Sequence, residues 1–399
     1  MGSPRHSDVL VVGAGPAGTA AALTARRHGL HAEVVDRATF PRDKTCGDGL
    51  TAAAFRHLEA LGLPRSALPG LTTVTEAVLV SPSGREVPLP LPGDGLFAGV
   101  VPRAELDHAL VTHARASGVP VHEGSGLVDV TVGPDLVTAT CADGSRHAAR
   151  YLVAADGNYS TVRKILEPGA GPRFGTWHAF RQYFSGVDDP RLWVSFEADL
   201  LPGYAWVFPL PDGRANVGYG VLRTPGTTGR QLNALWHDVV TRPSMRRILG
   251  TARPEGSPRA WPIPGDLDGG ALHDGRVLYV GDAAGAVDPM TGEGIAQALE
   301  TGILAAEAVA GGGTAGAVGE RYDTAVLGAL QADARMAHGL QRLLAHPLLA
   351  RAAVRAIGTS GWTRRNFARW MFEDYPRAVL VTPRRWHRGM FTGDGAYTD

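Results

Sequence analysis

The sequence predicts an α/β chain with a parallel sheet first, a mostly antiparallel sheet in the middle and helices at the C-terminal end. Three observations predict it. Asp8–Val12 is an apolar run that ends at Gly13 and opens onto an alanine-rich helix from about Ala17 to His28, and a second run, His31–Val35, ends at Asp36. Both runs are continuously apolar apart from Glu33, as strands buried in a parallel sheet tend to be. Residues 172–268 change to aromatic alternation with Pro/Gly turns, as in RLWVSFEADL and YAWVFPLPDGRANVGYG. From Glu293 to about Tyr375 the pattern is helical, broken at GGGTAG and at His346-Pro347.

Composition narrows the function classes. With 399 residues, 44% of them hydrophobic, the chain can bury one large core or two joined domains. A formal net charge of zero gives no global reason to expect a nucleic-acid partner. The two cysteines, Cys46 and Cys141, exclude a disulfide scaffold and suit a reducing cytoplasm. MGSPRHSD runs straight into the first strand without a secretory apolar stretch, and no apolar run approaches the ~20 residues that span a bilayer. Of the 39 basic residues only Lys44 and Lys164 are lysine.

The remaining elements follow in order. Residues 73–90 alternate around SPSG and read as a hairpin. VVPRAELDHALVTHARASG reads as a helix with an X-Pro entry and a glycine stop. Residues 119–155 supply strands with a turn at ADGS, and the chain returns to the first sheet at Arg276–Ala283. The expected domains are a discontinuous nucleotide-binding domain (1–72, 98–170 and 270–310), an inserted hairpin (73–97), an antiparallel substrate domain (171–269) and a C-terminal helical region with a tail (311–399).

Gly13-Ala-Gly15-Pro16-Ala17-Gly18 has the G-x-G-x-x-G form between a strand and a helix, the context of a Rossmann-like dinucleotide site. Gly13 permits the tight turn, Gly15 lets the backbone approach a pyrophosphate, and Gly18 lets helix and strand pack closely. Pro16 and Ala17 start the helix, whose free N–H groups and dipole favour phosphate. Asp36, 18 residues beyond Gly18, is placed for ribose hydroxyls, with Arg37 beside it. Alone, this motif leaves NAD and FAD open. Gly311-Gly-Gly313-Thr-Ala-Gly316 matches by spelling only, because no strand precedes it.

Two later segments decide for FAD. ADGNYSTVR (155–163) resembles the DG motif of flavoproteins related to para-hydroxybenzoate hydroxylase, and Gly281-Asp282-Ala-Ala-Gly with Asp288-Pro289 and Gly292-Glu-Gly294 resembles the second FAD motif of that superfamily. The resemblance implies cofactor contacts at Asp156, Gly281, Asp282, Pro289, Gly292, Gly294 and Ile295. Asp282 would meet the ribityl chain, and the helix start after Gly292 would stabilise negative charge at N1/O2 of the reduced ring. Arg103 in PRAELD matches an arginine near the cofactor phosphates. Within the superfamily, PRDKTCGDGLT (41–51) and LPGYAWVFPLPDGRANVGYG (201–220) resemble the geranylgeranyl reductase branch, and GDAAG agrees. The resemblance covers residues 8 to about 310. The last quarter adds no recognised motif.

Cys46 is expected beside the ring, either as the proton donor for alkene reduction or as a small apolar residue packed under it. Asp48 is a candidate proton relay between Gly47 and Gly49, and Lys44 a candidate charge near flavin or substrate. Tyr204, Trp206 and Phe208 share one strand face. They read as an aromatic wall for a prenyl chain or as sheet core, while Asn216 and Gly218 on the return strand read as points of close substrate approach. No histidine pair or cysteine pair has metal-ligand spacing, so no metal is expected.

The leading expectation is an FAD-dependent reductase of C=C bonds in a prenyl, isoprenoid or terpenoid substrate, supplied by NADPH or a ferredoxin-like donor protein. The alternative is a monooxygenase that epoxidises or hydroxylates a terpenoid or aromatic compound through a flavin C4a-hydroperoxide. A halogenase is less consistent, since YAWVFP departs from W-x-W-x-I-P, and outside the enzymes stands a flavin- or lipid-binding carrier. Residues 341–390 hold ten arginines against two acids among Leu, Trp and Phe. Such a surface suits peripheral contact with the inner face of a membrane, or is a solvated helix face.

Overall fold

The computed structural model describes residues 4–91, 97–168, 175, 177–223, 226–386 and 390–391. Eleven α-helices occur among them: α1 (Pro16–Arg27), α2 (Ala52–Ala60), α3 (Arg103–Ala116), α4 (Thr161–Leu166), α5 (Gly229–Thr241), α6 (Pro243–Leu249), α7 (Ile295–Ala310), α8 (Ala315–Val326), α9 (Ala332–Leu344), α10 (Pro347–Ile357) and α11 (Gly361–Met371).

The N-terminal sheet has Arg5–Val12 at its centre, parallel to Ala32–Val35 on one side and to Arg146–Ala154 on the other. Val121–His122 and Val277–Tyr279 extend it in parallel, and Leu127–Val132 and Val137–Cys141 add antiparallel strands. Alanine dominates α1 because the helix is pressed between this sheet and α7: ten of its twelve residues are buried. Gly18 and Gly302 allow that approach, since a Cβ at either would strike the backbone of Gly13 or Ala17.

The second sheet runs Arg253–Ile263, Trp177–Ser185, Arg214–Leu222, Tyr204–Leu210, Leu192–Ser195, Glu76–Val80, Glu86–Pro90. The SPSG hairpin therefore extends this sheet: Glu76–Val80 pairs in parallel with Leu192–Ser195. The rest of the sheet is antiparallel. A small third sheet, Gly49–Thr51 with Ala98–Val100 and Thr72–Thr73, carries the chain between the two. Residues 92–96 of the expected hairpin, 171–174 at the expected start of the substrate domain and 392–399 of the tail lie outside the described residues.

Two helices absent from the sequence reading, α5 and α6, cover one face of the second sheet, burying Leu232, Trp236, Met245 and Ile248 against Phe180, Val217 and Tyr219. Helices α10 and α11 pack on the opposite face near Val87, Leu89 and Val194.

Candidate active site

One cavity of about 640 Å³ runs between the two sheets, within the size range of small-molecule sites. Its lining takes in the first glycine loop, Asp36 and Arg37; Lys44, Cys46, Arg103, Asp156, Gly281 and Asp282; and Gly292, Gly294, Ile295, Tyr204, Trp206 and Phe208. Residues more than 250 positions apart in the chain thus share one surface.

The loop after the first strand is built for close approach. Gly13 has φ +105°, and a Cβ there would meet the Ala155 carbonyl. The space before Gly15 is open, with only an Arg42 side-chain nitrogen at 3.8 Å from where a Cβ would stand. Asp36 holds this loop: its carboxylate accepts from the Ala14 N–H at 2.6 Å and the Ala38 N–H at 2.7 Å. Asp156 accepts from the Thr161 and Val162 N–H groups at 2.6 and 3.2 Å, which fixes the start of α4. Arg163 ties this motif to the next, donating to the Ala283 carbonyl at 2.7 Å and the Ala271 carbonyl at 2.6 Å.

Two observations fit a polar dinucleotide in this groove. Both polar atoms of the buried Asn158 side chain, and Oδ1 of Asp156, are buried without a hydrogen-bond partner in the protein. Both residues border the cavity. Gly292, at φ +71°, and Gly294 then present the N-terminus of α7 to it.

Arg103 is buried and forks onto Asp107, with Nε to Oδ1 at 3.1 Å and an Nη to Oδ2 at 3.0 Å. Arg42 joins the same carboxylate at 2.8 Å. Lys44 reaches Asp282 at 3.2 Å and lies 5.5 Å from the Trp261 ring centre.

The loop bearing Cys46 is fastened from below. Asp48 is fully buried, with φ +65° between two glycines. Its Oδ2 accepts from the Tyr183 hydroxyl at 2.7 Å and from the Asn216 amide at 2.8 Å, while Oδ1 accepts from the Arg103 N–H at 3.2 Å. Burial pushes its carboxyl up to about 6, against the opposing pull of the Asn216 and Tyr183 hydrogen bonds and the Arg181 charge. Burial also raises the Cys46 thiol, with the Arg103 charge acting the other way; its sulfur accepts from the Asp48 N–H at 3.3 Å. Such a thiol is protonated at neutral pH.

Tyr204, Trp206 and Phe208 form a wall with ring centres 6.0 Å apart along the strand. The Tyr204 hydroxyl donates to the Thr291 carbonyl, joining the wall to the turn before α7. The Trp206 indole N–H donates to Asn216 at 3.0 Å.

Five expected site residues stand off the cavity surface. Gly18 lies behind the loop, where it serves helix packing. Asp48 faces inward, off the cavity surface, and fastens the loop. Asn216 is fully buried, holding Asp48, Trp206 and the Cys46 carbonyl. The space over Gly218 is filled by the Trp206 ring, which leaves no room for substrate. The Pro289 carbonyl accepts from Trp177 and Gln341, and the residue borders a separate cavity.

Sequence reading also missed residues that border the main cavity. Asn158 stood within the quoted ADGNYSTVR. Glu293, between two glycines of the second motif, is pushed up to about 8 by burial, with the Glu373 charge adding to the rise. Most of the apolar arm comes from the C-terminal helices: Leu340, Leu343 and Leu344 of α9, Val354 and Ile357 of α10, Phe367 and Met371 of α11. Among the described residues no group of three or more His, Cys, Asp or Glu side chains is placed to hold a metal ion.

Comparison with known proteins agrees with this geometry. Residues 6–188 match the model of an FAD binding domain. The chain is 36% identical over 335 residues to the menaquinone reductase of Mycolicibacterium smegmatis, covering 77% of each protein. It is 31% identical over 316 residues to digeranylgeranylglycerophospholipid reductase 2 of Methanopyrus kandleri, covering 76% of each. The crystal structure of a geranylgeranyl bacteriochlorophyll reductase-like protein from Thermoplasma acidophilum superposes with a TM-score of 0.76 at 22% identity, over 96% of this chain and 100% of that one. The chain is an FAD-dependent oxidoreductase and belongs to the geranylgeranyl reductase family.

Proposed function

We propose that this enzyme reduces C=C bonds in the prenyl chain of an isoprenoid lipid or quinone. One observation carries the reading: the groove that fits a dinucleotide continues without a break into an apolar arm walled by Phe196, Tyr204, Trp206, Phe208 and the C-terminal helices. A long, polar-ended cofactor and a long apolar chain would meet at Cys46. The names of the relatives, a menaquinone reductase and reductases of geranylgeranyl compounds, support the same substrate class.

In this reading Gly13, Gly15, Pro16, Ala17, Arg103 and Asp156 surround the phosphates, Asp36 and Arg37 the adenosine ribose, Asp282 the ribityl chain, and Gly292, Gly294 and Ile295 the ring. Bound FAD, once reduced, would supply two electrons as hydride. The chain's own residues do the rest. The aromatic wall excludes water and lays the alkene flat, and the α7 N-terminus favours negative charge at the ring. A neutral acid supplies the proton for the second carbon. Cys46 and Glu293 both border the cavity and both hold their protons at pH 7. Cys46 stands on the loop that Asp48 and Asn216 immobilise, and we assign it the donor role.

Electrons come from NADPH or a ferredoxin-like donor protein, and the enzyme works in the cytoplasm at the inner face of the membrane. No helix among the described residues is long and apolar enough to cross a membrane. The test is anaerobic incubation of the photoreduced holoenzyme with prenyl quinones and terpenoids of graded length, read by mass spectrometry. A gain of two hydrogens that persists after the headgroup is reoxidised, and so lies in the prenyl chain, supports the reading. A gain of one oxygen after air is readmitted would replace it with monooxygenation.

A further inference from the structure

Large apolar side chains exposed to solvent are not scattered over this molecule. Among the described residues nine are exposed, and seven of them are Leu343, Leu348, Leu349, Trp362, Leu380, Val381 and Trp386. They fall in two groups of the C-terminal region: Leu343, Leu348 and Leu349 at the α9–α10 corner, and Trp362, Leu380, Val381 and Trp386, which a chain of contacts brings together. Leu343 ends α9, Leu348 and Leu349 begin α10, and Trp362 begins α11. The Trp362 indole donates to the Phe391 carbonyl at 3.2 Å, the Phe391 ring lies edge-on to Trp386 at 5.9 Å, and the Trp386 indole donates to Val379, next to Leu380 and Val381. Exposed apolar clusters of this kind mark interaction surfaces.

The charge along these helices has one sign. Residues 334–372 contain seven arginines and no aspartate or glutamate. The arginine excess of the whole C-terminal region is smaller at the surface than in the sequence, because Arg369, Arg377 and Arg385 turn inward to Asp374, Asp288 and Asp333. Arg342, Arg351 and Arg355 remain exposed, on the same α9–α10 corner as the leucines. The apolar arm of the cavity reaches this corner: Leu343 is both a wall of the cavity and 43% exposed.

We propose that the α9–α10 corner docks on an anionic lipid bilayer, Leu343, Leu348 and Leu349 entering the headgroup boundary while Arg342, Arg351 and Arg355 meet the lipid phosphates, and that the substrate chain passes directly from the bilayer into the apolar arm beside Leu343. The proposal deepens the reductase reading, on which its substrate step rests. A soluble apolar ligand needs no positive rim, and a second copy of this chain would bring arginine against arginine. A lipid surface satisfies both halves of the face.

The test is flotation of the FAD-loaded full chain with extruded vesicles of phosphatidylglycerol and phosphatidylcholine in equal parts, and with phosphatidylcholine alone. Binding to the anionic vesicles is expected to be at least about tenfold tighter and to weaken with salt. Leu348→Glu with Leu349→Glu should lower it at least about tenfold, and so should Arg351→Glu with Arg355→Glu. None of these four side chains borders the cavity, so FAD content should be unchanged in both variants. A wild-type chain that stays in the aqueous phase, or variants that float as the wild type does, would overturn the proposal. A wild-type dimer that the leucine variant converts to a monomer would overturn it too, assigning the face to self-association. Flotation reads no turnover. A chain that floats but reduces no prenyl compound would therefore sink the reductase reading and leave the docking face standing.

Discussion

The Asn216 side-chain amide donates at 2.8 Å to the Cys46 carbonyl and at 2.8 Å to the Asp48 carboxylate, fastening the loop that bears the thiol to the middle of the second sheet. Its own oxygen is taken by the Trp206 indole. One fully buried amide thus couples the loop, the acid beneath it and the aromatic wall.

Asn216→Ala leaves the Asp48 carboxylate and the Trp206 N–H each short of a partner in a dry interior. The expected loss of stability is about 2–4 kcal/mol, from leaving such groups unsatisfied. Urea denaturation of the apoprotein measures it. A loss below about 0.5 kcal/mol would show that water replaces the amide and that the coupling is weak.

Glu293 gives a pH signature without any cofactor. Its folded value, about 8, lies above the ordinary 4.5, so the folded chain binds the proton more tightly than the unfolded chain. The stabilisation is complete below about 4.5 and is lost as pH rises toward 8. Against the wild type, Glu293→Gln should therefore gain relative stability steadily from pH 5 to pH 8 and no further above. The apoprotein melting temperature at each pH checks this. A constant difference between the two proteins across that range would mean an ordinary carboxylate.

Cys46→Ala removes the assigned donor and leaves the groove intact. Alkene reduction should slow by about 10²-fold or more, while FAD content and photoreduction stay normal. Single-turnover rates of the photoreduced enzyme separate the steps. An unchanged rate would move the donor role to Glu293, which borders the same cavity.

Asp282→Ala probes the ribityl assignment. The Lys44 pair is partly exposed and adds little to stability, so the variant should fold as the wild type does. A lost hydrogen bond to a charged group predicts FAD binding weaker by about 10- to 100-fold. Titration of the apoprotein with FAD, followed by flavin fluorescence, reads it out. Unchanged affinity would place the ribityl chain elsewhere.

The two glycine motifs and the first β-α-β unit of the nucleotide-binding half were legible because local rules dictate them. Gly13 needs a positive φ, α1 needs small residues, and buried parallel strands need continuous apolar runs. What escaped was set by contacts distant in sequence. Nothing near Asp48 announces that Asn216, 168 residues on, will take its carboxylate and anchor it. The hairpin joined the second sheet because Glu76–Val80 found Leu192–Ser195 in parallel, a pairing that no local alternation encodes. Helix α5 left a signal that went unread, the Thr228–Gln231 capping box ahead of an apolar stripe. The C-terminal helices showed amphipathic faces in sequence, but which face would line the cavity was fixed only by docking against Val87 and Leu89.

The most direct test of the central claim follows the flavin absorbance bands of the photoreduced holoenzyme when a geranylgeranyl compound without a quinone headgroup is added in the absence of oxygen. A chain-reducing enzyme will regain the oxidised bands at a rate that rises with substrate, one flavin for each double bond saturated. Bands that stay bleached until air enters would contradict it.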